Sequence, residues 1–408
     1  MTVSSLELEQ AFAADAFVLD PEVLHLNHGS FGACPRAVLE AQAALRARLE
    51  AATMRWFVLE YQDALDRARA AAAAFVGADP AGFVFVANAT HGVATVLANV
   101  LARAELAAGD EVLTTDHEYR ACKNAIDRAA ATAGAQVVVV PIALPARDPA
   151  AAVEALVARV TPRTRLVLVD HVTSPTALTL DIAALARALP PRAALLVDGA
   201  HAPGQLDLDV AATGATYYTG NFHKWTCAPK GAGFLWVAPA RREGFHPLVT
   251  SHGATLSTAA RSRFRLEHDW TGTHDPSPYL CVPVAITTIA SLGGGWPRVR
   301  ERNRTLVRAM RDDLCAALGA DPIDQTPDTP DAPGGSMAAI AVTLPDGADH
   351  LAVERTLLER GVEIPIVSHP GSPWPLVRIS AHLYNRRSDA SRLASALTAA
   401  GVHGRRIS

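Results

Sequence analysis

Between about residues 80 and 240 the chain alternates short runs of β-branched and aliphatic residues with longer helical runs. "GFVFVAN" reads as a buried strand and "THGVATVLANVLARA" as the helix after it. "DEVLTTD", "AQVVVVPI", "TRLVLVDHV" and "AALLVDGA" read as further strands, separated by the helical "EYRACKNAIDRAAATAG", "AAAVEALVARV" and "DIAALARALP". Strands of this kind joined by helices predict a mostly parallel α/β sheet between helical layers. The alternation weakens after about residue 245, where "TSHGATLSTAARSRFRLEHDWTGTHDPSPYL" reads as a connection. Helical runs near 279–292 and 297–318, a Pro/Asp-rich stretch, "SMAAIAVTLP", a helix around 349–360, "PLVRISA" and a last helix follow, an α+β pattern. Residues 1–25 thus read as an N-terminal arm, 26–270 as a large domain, and 271–408 as a linker and small C-terminal domain. The Pro-rich loop at 321–335 reads as mobile, and whether it gates a site is left open by the sequence.

Several function classes drop out. With 37 basic and 41 acidic residues the formal charge is −4, which offers no broad surface for nucleic acid. No run reads as a membrane span, and the start carries acids where a signal peptide carries basic residues. Five scattered cysteines without a CxxC pair argue against a disulfide framework or structural zinc and for a reducing cytoplasm. "HEYRA" lacks zincin spacing and no histidine pair sits at helical spacing beside a third ligand, so no metal is expected. His25 and His252 read as polar core or loop residues, and Cys227 as a small buried thiol.

In open parallel sheets, ligands bind at the carboxyl ends of the strands. Ala89 and Thr90 follow the first strand and open a helix, which makes either an anion site or a plain N-cap. Asp116, His117, Glu118 and Tyr119 follow the second; His171, Thr173 and Ser174 follow "LVLVD"; Asp198 ends "ALLVD", with His201 just beyond. Then comes "GNFHKWTCAPKGAG". The chain has three lysines, Lys123, Lys224 and Lys230, so arginine supplies almost all its positive charge. Lys123 reads as a helix-surface residue and Lys230 as part of a turn. Lys224 has a role arginine could not fill: a deprotonated primary amine can form an imine and later carry a proton. Pyridoxal phosphate chemistry uses this set, namely an imine-forming lysine, an acid on the pyridinium nitrogen and a phosphate cradle.

The stretch "VDGAHAPGQLDLDV…ATYYTGNFHKWTCAPKGAGFLWV", with "LNHGSFGACPRAVLEAQ", "TDHEYRACKNA", "DHVTSPTALTLDI", "TGTHDPSPYL" and "VRISAHLYN", resembles the class V aminotransferases of PLP fold type I. Within them it is most similar to the isopenicillin N epimerase-like branch. The resemblance implies a large domain with a mostly parallel seven-stranded sheet, a smaller α+β domain, and a homodimer with shared active sites. It matches Lys224 to the imine-forming lysine, Asp198 to the pyridinium acid and His201 to the group on the ring oxygen. Ala89, Thr90, Asn221 and His223 match phosphate contacts, and Thr273 a phosphate contact from the neighbouring subunit. Tyr119 matches the ring stacked on the cofactor, with His117 a second candidate. Arg378 matches the arginine that grips the substrate carboxylate, for which its planar fork is suited. Asn27 and His28 are expected on the substrate side, and Ser174 stands where relatives often have Asn.

The shared reaction step is removal of the α proton of an amino acid by the freed Lys224. Returning a proton on the opposite face gives epimerisation, for which Tyr119 is a candidate donor, in an antibiotic or other natural-product pathway. C–S β-lysis or decarboxylating deamination of an S-conjugated cysteine is the alternative; transamination, or a cofactor-free binding protein, ranks lower. Residues 321–375 hold no cysteine, which argues against a persulfide-forming desulfurase.

Overall fold

The computed structural model describes residues 3–148, 150–324 and 334–407. Residues 325–333 of the Pro-rich stretch lie outside the described residues. Seven strands form the main sheet: β1 (Phe83–Val86), β2 (Glu111–Thr115), β3 (Gln136–Val140), β4 (Thr164–Asp170), β5 (Ala194–Gly199), β6 (Tyr217–Asn221) and β7 (Gly233–Val237). Their spatial order is β1-β7-β6-β5-β4-β2-β3. All pairings are parallel except those of β7, which runs antiparallel to both neighbours.

The alternation in sequence identifies the first five strands. It misses β6 and β7 because no helix separates them: only the loop 222–232 does, and an antiparallel neighbour needs no crossover helix.

Period-two burial explains the layers. Leu166, Leu168, Leu196 and Leu235 face one side, against Val96 and Ile126; Val167, Val169, Val197 and Phe234 face the other, against Leu156, Leu185 and Ala285. Val96 belongs to α1 (Ala89–Ala102), Ile126 to α2 (Arg120–Ala133), and Ala285 to α3 (Val282–Gly293). The predicted connection after residue 250 contains a short helix, Arg263–Asp269, started by the Ser262 side chain accepting from the Arg265 amide.

Beyond α4 (Trp296–Leu318) the chain forms a second sheet from β8 (Met337–Thr343), β9 (Ile366–Val367), β10 (Leu376–Ser380) and β11 (His403–Gly404), antiparallel in the order β9-β10-β8-β11. Helices α5 (His350–Glu359) and α6 (Asp389–Ala399) complete it. Ile340, Val342, Val377 and Ile379 pack on Met310, Leu314 and Leu393, and the N-terminal Leu8, Leu24 and Leu26 join this cluster. Leu24 and His25 also pair with Val362 and Glu363 as a short parallel bridge. No helix among the described residues is long and apolar enough to cross a membrane.

Candidate active site

The carboxyl ends of β4 and β5 place Asp170 directly beside Asp198 in the strand register. The first residues of α2 and the turn before it bring Glu118 and Cys122 to the same spot, where Glu118, Cys122 and Asp198 present ligand atoms within 4.8 Å of one another. Cys122 Sγ donates to Asp198 Oδ2 at 3.0 Å, and the Ala200 amide donates to Oδ1 at 2.8 Å. Glu118 Oε1 and Asp170 Oδ2 are buried with no hydrogen-bond partner among the described residues. Burial, and then the neighbouring carboxylates, hold Glu118 and Asp170 well above the usual carboxylate range; burial also raises Asp198. Among the described residues no cationic side chain is bonded to this corner, although Lys224 lies within electrostatic reach. Glu118 was named from sequence only as one of the residues after the second strand, without a role, and Asp170 and Cys122 were given none; Asp170 closes an apolar strand whose pattern drew the attention.

Lys224 lies just past β6. Its Nζ is 3.0 Å from His201 Nε2, while Trp225 Nε1 donates to His201 Nδ1 at 3.4 Å. With Nδ1 accepting, Nε2 carries the hydrogen and donates to the amine, an arrangement that requires a neutral lysine. Burial pushes the Lys224 amine down to about 8, helped by the Arg378 charge and opposed by Asp198 and Asp170. The backbone here is clamped: Cys227 N donates to Lys224 O at 2.9 Å, and His28 Nε2 donates to the same carbonyl at 3.0 Å. Cys227 accepts a left-handed φ of 60° to close this turn. At Gly32, with φ +70°, a Cβ would fall 2.1 Å from the His223 carbonyl, so only glycine lets the N-terminal segment come this close.

Arg378, on β10, faces the lysine with a buried guanidinium. One terminal nitrogen donates to Ser174 O at 2.6 Å and Ser174 Oγ at 3.2 Å; the other donates to Asn27 Oδ1 and Ser30 Oγ, both at 2.9 Å. All of these are neutral oxygens, and Nε has no partner among the described residues. Burial lowers Arg378 to about 10. Among the described residues no carboxylate is bonded to this arginine, and Glu354 acts on it only through space, so a buried guanidinium held this way is suited to receive an anion. Ser174, whose part was open from sequence, and Ser30, which was not considered, both hold its fork.

The remaining expected residues fall into three groups. Asn221 Oδ1 accepts the Ala89 amide at 2.9 Å, which ties the start of α1 to the end of β6; Thr90 sits exposed on that first turn, where Asn88 is the N-cap. His223 donates from Nδ1 to the Ala232 carbonyl at 3.3 Å, and burial lowers it to about 4. Tyr119 is 45% exposed at the crevice mouth, whereas His117 is buried and bonded to Thr176 Oγ1 and Ile142 O. His28 was expected on the substrate side. Its ring is buried, with both nitrogens engaged by the Lys224 carbonyl and the Tyr384 hydroxyl, and it stacks on His382 at 4.2 Å. Thr273 is not gathered with the others; it lines a surface hollow of about 680 Å³ with Arg46, Met54 and Phe57. Lys123 pairs with Asp127 on the surface of α2, and Lys230 donates to Gly32 O from a turn.

A buried amine of lowered basicity between an acid cluster and a guanidinium bonded only to neutral oxygens, at the carboxyl edge of a mostly parallel sheet, is the arrangement of an enzyme that works through a carbonyl cofactor. The model of the family "Aminotransferase class-V" matches residues 33–393. An isopenicillin N epimerase of Amycolatopsis lactamdurans is 38% identical over 95% of this chain and 97% of its own length. A sequence of Oryza sativa subsp. japonica grouped by name with L-cysteine desulfhydrases is 31% identical over 93% of this chain and 84% of its own. A mutant of C-DES, solved with glycine covalently linked to its PLP cofactor, superposes with TM-score 0.77 at 22% identity, covering 92% of this chain and 96% of that one, and so shares the fold. The chain belongs to the class-V aminotransferase family of pyridoxal-phosphate-dependent enzymes. Its residues fit the cofactor. A protonated ring nitrogen is the cation that Asp198 and its neighbours lack, and Lys224 is the amine that would hold the aldehyde carbon.

Proposed function

We propose that this enzyme epimerises the α carbon of an amino-acid-bearing substrate of the isopenicillin N kind, working as a homodimer. The observation that carries this reading is the buried Lys224 amine, lowered to about 8, in electrostatic reach of an Arg378 guanidinium bonded only to neutral oxygens. Bound pyridoxal phosphate supplies the electron sink that makes an α proton acidic. Asp198 would hold the ring nitrogen, His201 the ring oxygen, and the Ala89–Thr90 turn with Asn221 and His223 the phosphate. Arg378, set by Asn27, Ser30 and Ser174, binds the substrate carboxylate and so turns the α hydrogen toward Lys224 Nζ. Lys224 takes that proton on one face. Tyr119, at the mouth, delivers a proton from its hydroxyl to the other face, which completes the inversion.

Beside Tyr119 and Ser174 lies a crevice of about 500 Å³, space of the order used for drug-sized ligands and generous for cysteine alone. That size favours the epimerase reading over C–S cleavage. The desulfhydrase-like relatives keep C–S β-lysis, which needs only one base, as the second reading; decarboxylating deamination follows it. Thr273 and the exposed Met54, Val58 and Leu59 mark the face a second copy would cover, with Thr273 reaching the partner's phosphate site. A cytoplasmic place in antibiotic biosynthesis accords with this substrate class.

Incubating candidate substrates in heavy water separates the readings. Deuterium at the α carbon with loss of chirality and no other product is expected. Ammonia with an oxo acid would mean C–S cleavage instead, and carbon dioxide the decarboxylating route.

A further inference from the structure

The rim of the crevice carries a second cluster of groups that the reaction above does not use. Asp116 and His117 follow β2, and His369 lies in the hairpin between β9 and β10, at residues 368–375. Their ligand atoms all lie within 4.8 Å of one another. His369 is 4% exposed, and neither ring nitrogen has a hydrogen-bond partner among the described residues. An imidazole buried this far without partners is costly unless something completes it. Its ring centroid is 4.1 Å from that of His117, with the planes tilted by 59°. His117 Nε2 is 3.7 Å from Asp116 Oδ1.

The space between these groups is kept open by Gly371. A Cβ there would fall 2.5 Å from Asp116 Oδ2 and 2.9 Å from His369 Nε2. Asp116 Oδ1 accepts the Ile142 amide at 3.0 Å, so Oδ2 remains available. His117 is oriented from behind, as metal-ligating imidazoles are: Nδ1 pairs with Thr176 Oγ1 at 2.7 Å, and Thr176 pairs with Thr173 Oγ1 at 2.6 Å. Its Nε2 makes only a 3.2 Å contact to the Ile142 carbonyl, which a ligand bond can replace.

We infer that Asp116, His117 and His369 form a binding site for a divalent transition ion of the zinc class, which pins the 368–375 hairpin to the tip of β2. Two imidazoles and one carboxylate are a donor set that suits zinc, with the fourth position left to water. Ligand atoms around tetrahedral zinc lie ~3.3 Å apart, so the hairpin needs to close by only about 1–1.5 Å. The hairpin contributes Val367, Ser368, His369 and Pro370 to the crevice wall and runs on into the strand bearing Arg378. An ion at this rim therefore sets how far the small sheet can part from Tyr119. The inference stands apart from the choice between epimerase and lyase.

Calorimetric titration of the holoenzyme with zinc, after chelator dialysis, tests it. One ion per chain is expected. His369→Ala and His369→Gln should each weaken binding by more than the ~10–100-fold that an outer partner is worth, and Asp116→Asn likewise. Both His369 variants should keep the visible cofactor band, which reports the fold. Zinc should slow amide exchange in the 368–375 hairpin, and cobalt should bind without a thiolate charge-transfer band. Absence of zinc binding, binding that survives both His369 variants, or binding lost in Cys227→Ala would overturn the site. The last outcome would move the ion to the buried His28–Cys227–His382 cluster behind the lysine.

Discussion

The two walls of the crevice carry opposite unsatisfied charge. On the main-sheet side, Glu118, Asp170 and Asp198 crowd one corner with two orphaned carboxylate oxygens. On the small-sheet side, Arg378 is buried among neutral oxygens with an orphaned Nε. Burial holds Glu118 and Asp170 well above the usual carboxylate range, so the first wall takes up protons where no cation meets it. Buried charge of one sign is tolerated only where a bound group completes it, so the first wall is set for a cation and the second for an anion. Lys224 stands between them. Arg378 depresses its amine and the acids raise it, and burial, the largest of these effects, brings it down to about 8, so a free-amine fraction is present near neutral pH.

Removing the element between the walls should have the largest effect. Lys224→Ala should abolish the visible band of covalently held cofactor and lower turnover by roughly 10²–10⁴-fold or more, the scale of a lost general base. Survival of both the band and turnover would remove Lys224 from its place.

Arg378→Gln comes next, because it strips the anion-binding wall. Losing charge-assisted hydrogen bonds worth about 2 kcal/mol should raise KM for the carboxylate substrate by about 30-fold. It should also move the lysine. The rate at which apoprotein takes up cofactor should follow the free amine and rise with pH, half-maximal near pH 8 and level above it. In Arg378→Gln that rise should shift to higher pH, because the group that disfavours the ammonium form is gone. An unshifted profile would show that the two walls do not communicate.

Glu118→Gln tests the acid wall through stability. A carboxyl raised in the folded protein binds a proton that the unfolded chain has already released. Its contribution to stability is thus full below the unfolded value and is lost as pH rises through the folded one. The amide removes that loss. The variant apoprotein should melt about 1–3 °C higher than wild type at neutral pH and differ little near pH 4.

The smallest effect is expected for Ser174→Ala. Arg378 keeps the Ser174 carbonyl, Asn27 and Ser30, so KM should rise less than about tenfold. A larger change would mean that Ser174 touches the substrate itself.

Much of this enzyme was legible before any coordinates. The alternation of apolar runs marks β1 to β5 and the helices between them, because burial on both faces imposes a local composition. Lys224 stands out where arginine supplies nearly every other positive charge, and Asp198 stands out at a strand tip. Other parts were not legible. The hairpin β6–β7 escapes a reading that looks for helices between strands, and its insertion beside β1 depends on long-range pairing. His28 and Arg378 show the same limit at the level of side chains. A motif brings both to notice, yet His28 turns out to hold the lysine's own carbonyl. Arg378 is steadied by Asn27 and Ser30, near the other end of the chain, and by Ser174 in the middle.

Sequence alone determined the kind of sheet, the amine that could form an imine, and the acid facing it, because each follows from periodicity or from the chemistry of one residue type. Tertiary structure alone decided that the amine is lowered in basicity, that three carboxyls share one corner, and that Asp116, His117 and His369 meet at the rim. Those properties arise from burial and from contacts between segments far apart in the chain. No local pattern encodes which distant side chains will share a space from which water is excluded.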